Sequence, residues 1–361
     1  MSQEPNKFFI ITSGPTGSGK TGLIKATLKQ IFPDKTEQEI DQLVIKKLLF
    51  DDLVENSRVY KDRVIDIIEE VKEKCCKEQK CEGEELENCE KEKYTNESET
   101  IGEFNEIYMK LKIGESGCEQ SGYDSVPITQ EQLDKLKLKE KNNCYNLFNI
   151  LLEDSLVQKP DIIVFEITGN DITTFKWVLD MVPEEYTVIV SYSLVQFDKL
   201  LERNSDRAYK DVQTFFNNRD KHAPRVPEIR KTEFLILFEK IRRIASELYR
   251  DCFLSHNTDI CGKKKVNRML LFDNNEDVIK GEDPPPPKNI FDSNKVSKKD
   301  FDKKDFDKIL NTALGIVEPI KTNIFNLKAS SKTAGKKTRK VPIKSSSKTS
   351  RKRTGKQVKK K

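Results

Sequence analysis

No apolar run in the 361 residues approaches the roughly 18 that cross a bilayer, and the N-terminus lacks the charged, apolar and small-residue sectors of an export signal. The sequence predicts a soluble intracellular chain, cytoplasmic or nuclear, with no membrane partner. Histidine is nearly absent, with His222 and His256 alone, and none of the eight cysteines shows paired C-x-x-C spacing. Cys75, Cys76, Cys81 and Cys89 crowd into one Glu/Lys-rich stretch far from either histidine. They read as reduced thiols on a solvated insert rather than as a metal knuckle. Hydrophobic residues are only 35% of the chain, no more than the 35% that are charged. That is low for a wholly globular chain and predicts a disordered part. From Ala329 to Lys361 acidic residues are missing altogether, while 14 of the 65 Lys and Arg lie there. The other 51 face 60 acidic residues, so residues 1–328 carry −9 and the basicity is confined to the tail. The tail has no aromatic side chain either, which excludes base stacking as its means of contact.

What is present is organised. Five short, continuous apolar runs read as strands buried on both faces: Phe8 to Thr12, Lys47 to Phe50, Ile162 to Phe165, Thr187 to Val190 and Met269 to Phe272. Between them, Phe148, Leu151, Leu152 and Leu156, and again Phe234, Leu237, Phe238, Ile241, Ile244 and Leu248, recur at helical spacing. Strand alternating with helix predicts a three-layer α/β domain from about residue 6 to 280. Residues 73–127, poor in aliphatics, read as an insertion whose helical character suits a lobe over the site. Beyond Gly281, Pro284 to Pro287 breaks the pattern, and a short amphipathic helix through Phe306, Ile309, Leu310 and Leu314 follows.

The strongest chemical signal stands at the first strand. Phe8 to Thr12 leads into Gly14-Pro15-Thr16-Gly17-Ser18-Gly19-Lys20-Thr21, which satisfies G-x-x-x-x-G-K-[ST] between a strand and a helical stretch. In such a loop glycines let successive backbone N–H groups converge on a β-phosphate. The lysine neutralises β/γ charge, and the Thr21 hydroxyl is a ligand for Mg²⁺. The alternative is a glycine-rich turn with no ligand.

Three further clusters follow in order. Asp51-Asp52, after the second run, offers either a base for an acceptor hydroxyl or a helix cap. Glu166-Ile167-Thr168-Gly169 ends the third run, where a carboxylate holds Mg²⁺ through water or binds an acceptor. Arg203, Arg207, Arg219 and Arg225 cluster after the fourth, either as a phosphate-binding lid or as partners of surface acids.

Taken together, Gly14 to Thr21, Asp51-Asp52-Leu53 with Tyr60, Glu166 to Gly169, Glu202-Arg203, Arg225-Val226-Pro227-Glu228 and Leu271-Phe272-Asp273-Asn274 resemble the zeta-toxin family of P-loop kinases. The resemblance covers about residues 6–280. It implies a three-layer P-loop NTPase kinase core with a five-stranded parallel sheet ordered 2-3-1-4-5, and ATP-dependent, Mg²⁺-assisted phosphorylation of a hydroxyl on a small molecule, a UDP-sugar or a nucleotide. Carried over, Lys20 resembles the phosphate-binding lysine, Asp51 the base, and Arg203 and Arg225 the γ-phosphate arginines; Glu166 and Thr168 resemble acceptor residues, and Asp52 joins them as a substrate-binding candidate. The chain departs from the pattern at Val54, where a basic residue is expected.

The resulting division is a kinase domain over 1–280, a Pro-containing linker with a helix over 281–328, and a disordered Lys/Arg-rich tail over 329–361. Two other readings stand beside it. One is a polynucleotide or nucleoside kinase. The other is a nucleic-acid-associated protein in which the ATPase fold is secondary and the tail makes non-specific, salt-dependent contacts.

Overall fold

The structure is a computed structural model that describes residues 7–78, 82–114, 118, 128–220, 222–226, 231–276, 285–296 and 301–316. The side chains of Thr21, Ser98, Lys231 and Glu233 stand outside that description. In chain order the elements are β1 (Lys7–Ser13), α1 (Lys20–Ile31), α2 (Glu37–Asp41), β2 (Ile45–Leu49), α3 (Phe50–Glu55) and α4 (Arg58–Lys77). The segment between the second and third strands adds α5 (Gly83–Thr95), α6 (Ser98–Met109), a π-helical turn (Lys110–Gly114), α7 (Gln130–Lys137) and α8 (Cys144–Gln158). The chain then runs through β3 (Ile162–Ile167), α9 (Ile172–Met181), β4 (Tyr186–Leu194), α10 (Phe197–Asn217), α11 (Lys231–Glu247), a second π-helical turn (Leu248–Leu254), α12 (Thr258–Cys261), β5 (Arg268–Asp273), β6 (Lys288–Asp292) and α13 (Lys303–Ala313).

One sheet carries the order β2-β3-β1-β4-β5-β6. The first five strands pair in parallel, each formed by one of the five apolar runs, and in the order expected for them. Their apolar continuity follows from alternate residues serving opposite layers. Phe9, Ile11, Phe165, Val190 and Leu271 join the main core, whereas Ile10 and Val164 pack with Ile24 and Leu28 of α1, and Ile189 and Leu270 with Leu23. Each such buried side chain contributes about 1.5–3 kcal/mol relative to exposure.

The strand count is corrected from five to six. β6 lies in the segment read as a linker and pairs antiparallel with β5, Leu271 opposite Phe291. Arg268 at the start of β5 clamps it, donating from Nε to Asp292 Oδ1 at 2.9 Å and from Nη2 to Oδ2 at 2.6 Å. This strand covers what would otherwise be an open edge of parallel sheet. The expected amphipathic helix is α13, and it buries Phe306 and Leu310 beside the sheet's end, with Tyr249 stacked on Phe306 at 4.2 Å.

The insertion also differs from a solvated stretch. Ile101, Phe104, Tyr108 and Leu111 of α6 and its π-helical turn are buried with Tyr94 of α5, and Gln213 of α10 donates to Glu90 of α5 at 2.7 Å. Cys75 and Cys89 are buried and paired to each other, with further pairs Cys118–Cys144 and Cys252–Cys261. The reading as solvated thiols is thereby overturned for Cys75 and Cys89, because Cys75 falls on the apolar face of α4 with Val64, Ile68 and Val71, whereas Cys76 is exposed. Cys81 lies outside the described residues.

The chain divides into a unit Met1–Glu318, which holds every element above, and a unit Pro319–Lys361. The expected disordered tail, 329–361, lies outside the described residues, as do Pro227, Glu228 and Pro284. Among the described residues no helix is long and apolar enough to cross a membrane.

Candidate functional site at the carboxyl edge of the sheet

Strand register decides which side chains meet. On β3, Glu166 stands opposite Thr12 of β1 on one side and Leu49 of β2 on the other. The glycine-rich loop leaves β1 directly after Ser13, and Asp51 opens α3 two residues after β2 ends. All three therefore gather at one carboxyl edge, where open parallel sheets bind ligands. Asp51 and Asp52 occupy the first turn of α3, where negative charge suits the helix dipole.

The loop is closed by local constraint. Gly17 and Gly19 hold φ of 83° and 76°, a region that penalises a Cβ. A Cβ on Gly17 would run into the amide of Asn204, and one on Gly19 into the amide of Asn274. These two amides anchor the loop backbone, Asn204 Nδ2 donating to Thr16 O at 3.1 Å and Asn274 Nδ2 to Ser18 O at 2.7 Å. Ser193 Oγ donates to the same Ser18 carbonyl, and Ser18 N to Pro15 O at 3.1 Å. Ser18 Oγ and Asn204 Oδ1, in turn, are buried with no hydrogen-bond partner. A tight glycine turn with orphaned polar atoms, set at the N-terminus of α1, fits a phosphate group. Thr21 begins α1 beside it, with its side chain outside the described residues.

Beside the loop lies a cavity of about 480 Å³ lined by Lys20, Asp51, Lys112, Glu166 and Thr168, and walled by Phe50, Tyr145, Phe148, Phe165 and Trp177. Lys20 Nζ stands 3.7 Å from Glu166 Oε1. Burial pushes the Glu166 carboxyl above its ordinary range, with Lys20 opposing and Asp51 adding to the rise. Asp51 is gripped on both oxygens, by the Tyr108 hydroxyl and by Nη1 of Arg225. The Arg225 guanidinium also lies over the Tyr108 ring at 4.5 Å. Burial alone would raise the Asp51 carboxyl, but Arg225, Lys20 and Lys112 outweigh it and hold it down at about 2. Asp51 is thus a fixed carboxylate, an acceptor of hydrogen bonds at any ordinary pH.

The remaining residues singled out from sequence fall elsewhere. Asp52, one position on, turns toward Glu55 and His222 and does not line the cavity. Arg203 donates from Nη1 to Asn274 O at 2.9 Å and from Nη2 to Glu276 O at 2.8 Å, bracing the segment after β5. Its neighbour Asn204 is the residue that touches the loop. Sequence reasoning did not single out Asn204, Ser193, Tyr108, Lys112 or Trp177. Asn204 stood one place from a chosen arginine, but Tyr108 and Lys112 come from the insertion, where no spacing ties them to Asp51. Val54, where a basic residue is expected, is fully buried, and Lys112 and Arg225 supply the positive charge around Asp51 instead.

No family model and no curated protein matches the chain. Among solved structures, one from the PezAT chromosomal toxin–antitoxin system of Streptococcus pneumoniae aligns with 92% of this chain and 87% of its own, at 10% identity and a TM-score of 0.39. The functional reading therefore rests on the geometry of the site itself.

Proposed function

We propose that the chain is an ATP-dependent, Mg²⁺-assisted kinase that moves the γ-phosphoryl group onto a hydroxyl of a small molecule. The observation that carries this reading is the convergence of Lys20, Asp51, Glu166 and Thr168 on one cavity next to the glycine cradle. In this reading the loop amides from Gly14 to Gly19 hold the β-phosphate, and Lys20 offsets charge on the transferring group. Thr21 would hold magnesium, which would supply positive charge to offset that developing on the transferring group. Asp51 accepts the acceptor's O–H and aims its oxygen in line. With its affinity for protons held low, it acts chiefly by orientation, which suits the loose transition state of phosphoryl transfer. Arg225 fixes Asp51 and lies at hand for the phosphoryl oxygens, while Arg203 stiffens the segment that supports the loop. Glu166 and Thr168 bind the acceptor.

The aromatic wall of Tyr145, Phe148 and Trp177 favours an acceptor that carries a flat ring, as a nucleotide or UDP-sugar does. A tail-assisted polynucleotide kinase would draw its strand by the tail, whereas the aromatic wall of this cavity suits a single flat ring. The test is transfer of label from γ-labelled ATP to pooled UDP-sugars, nucleosides, other metabolites and oligonucleotides, with Lys20→Ala as control. Label on a small molecule, lost in the control, is expected. Label on oligonucleotide ends would favour the polynucleotide reading, and label in no pool would sink both.

A further inference from the structure

A second group of side chains sits behind Asp51, facing away from the cavity. Asp52 and Glu55 project from the same side of α3, three residues apart, and His222 approaches from the loop that carries Arg225. One donor atom from each lies within 4.8 Å of the other two. The approach is held by backbone and side-chain bonds. Ala223 N donates to Glu55 O at 3.0 Å, and Tyr60 Oη to Pro224 O at 3.1 Å. Asn56 Nδ2 donates to Asp52 O at 2.9 Å and lies 3.3 Å from His222 Nε2, which holds the imidazole beside α3.

Glu55 points independently to a ligand. Its residue is 8% exposed, yet its carboxylate has no hydrogen bond or ion pair among the described residues. Arg225 is committed to Asp51, and Arg207 to Asp211 at 2.8 Å, so neither nearby cation is paired with Glu55. A buried carboxylate left in this state calls for a cation or a proton to join it.

We propose that Asp52, Glu55 and His222 bind one divalent transition-metal ion. Two carboxylates and an imidazole suit zinc or a neighbouring first-row ion, while magnesium and calcium prefer all-oxygen sets. Bond lengths of about 2 Å require the three donors to close by roughly an ångström, within reach of side-chain rotation. The ion ties α3, which carries Asp51, to the loop that carries Arg225. The site is separate from the magnesium position proposed at Thr21, and its existence does not depend on the kinase reading.

The experiment is calorimetric titration of Zn²⁺ into the full chain after chelator treatment, with Mg²⁺ titrated in parallel. One zinc equivalent is expected whose affinity falls at least tenfold in both Glu55→Gln and His222→Gln, and Zn²⁺ should raise the melting temperature of the wild type but not of Glu55→Gln. Glu55→Gln keeps the volume and removes a charge without a partner, so the variant folds; its circular dichroism spectrum is the check, and Asp52→Asn supplies the same affinity readout should either variant unfold. Zinc binding unchanged in these variants, binding confined to the cysteines, or Mg²⁺ competing equally for that equivalent would overturn the assignment.

Discussion

The two sides of the cavity are built in different ways. The loop side is neutral and local in its backbone, three glycines with positive φ in one turn, and only the side chains of Ser193, Asn204 and Asn274 that hold its carbonyls come from 175, 188 and 256 positions away. The opposite side is long-range and charged. Asp51 from α3, Tyr108 from α6 and Arg225 from the loop beyond α10 meet although they are separated by 57 and 174 positions. A loop defined by φ angles can be written in eight consecutive residues, whereas a charged clamp requires three distant elements to fold correctly before any of its contacts exist. In the proposed kinase the first side would hold the triphosphate and the second would select what is phosphorylated.

Perturbing one side at a time separates them. Lys20→Ala should have the largest effect, lowering kcat on the order of 10²–10³-fold through lost charge stabilisation, measured in steady state with saturating ATP. Tyr108→Phe comes next. Hydrogen bonds to charged groups are worth about 1.5–3 kcal/mol, so kcat/KM for the acceptor should fall by at least about tenfold while the nucleotide Kd stays put. Equal losses on both measures would show that the two sides are not separable. Gly19→Ala should do the converse, weakening nucleotide binding by about tenfold, since a non-glycine residue at that φ costs about 1–3 kcal/mol and its Cβ meets Asn274. Asn204→Ala is the mildest change. Removing one neutral anchor of the loop costs about 1 kcal/mol, a loss of about fivefold in nucleotide affinity by fluorescence titration, with the acceptor KM unaltered.

The same contrast explains what could be read from the sequence. β1, β3, β4 and β5 were legible because each is buried on both faces and therefore nearly continuously apolar, the edge strand β2 through Leu48 and Leu49, and the glycine loop because its backbone chemistry is local. β6 was not legible: Lys288 to Asp292 is polar at three of five positions, and it is a strand only because the edge of β5 and the Arg268–Asp292 clamp make it one. Asp51 and Glu166 were found as charges ending apolar runs. Tyr108 and Lys112 were hidden in a Glu/Lys-rich insertion whose buried stripe of Ile101, Phe104, Tyr108 and Leu111 is diluted by charge on the other face. Arg203 shows the limit of residue-type reasoning. The arginine was chosen for its fork, but the helix presents its small neighbour Asn204 to the loop.

The division of labour is tested most directly at Asp51. Asp51→Asn keeps the size of the side chain and changes only its charge and its ability to accept the acceptor's proton. Nucleotide affinity by calorimetry and single-turnover transfer from γ-labelled ATP should be measured on the same preparation. The account predicts a nucleotide Kd within about twofold of the wild type and a transfer rate lower by about 10²-fold or more, as for loss of the group that aims the attacking oxygen. Transfer at the wild-type rate would contradict it.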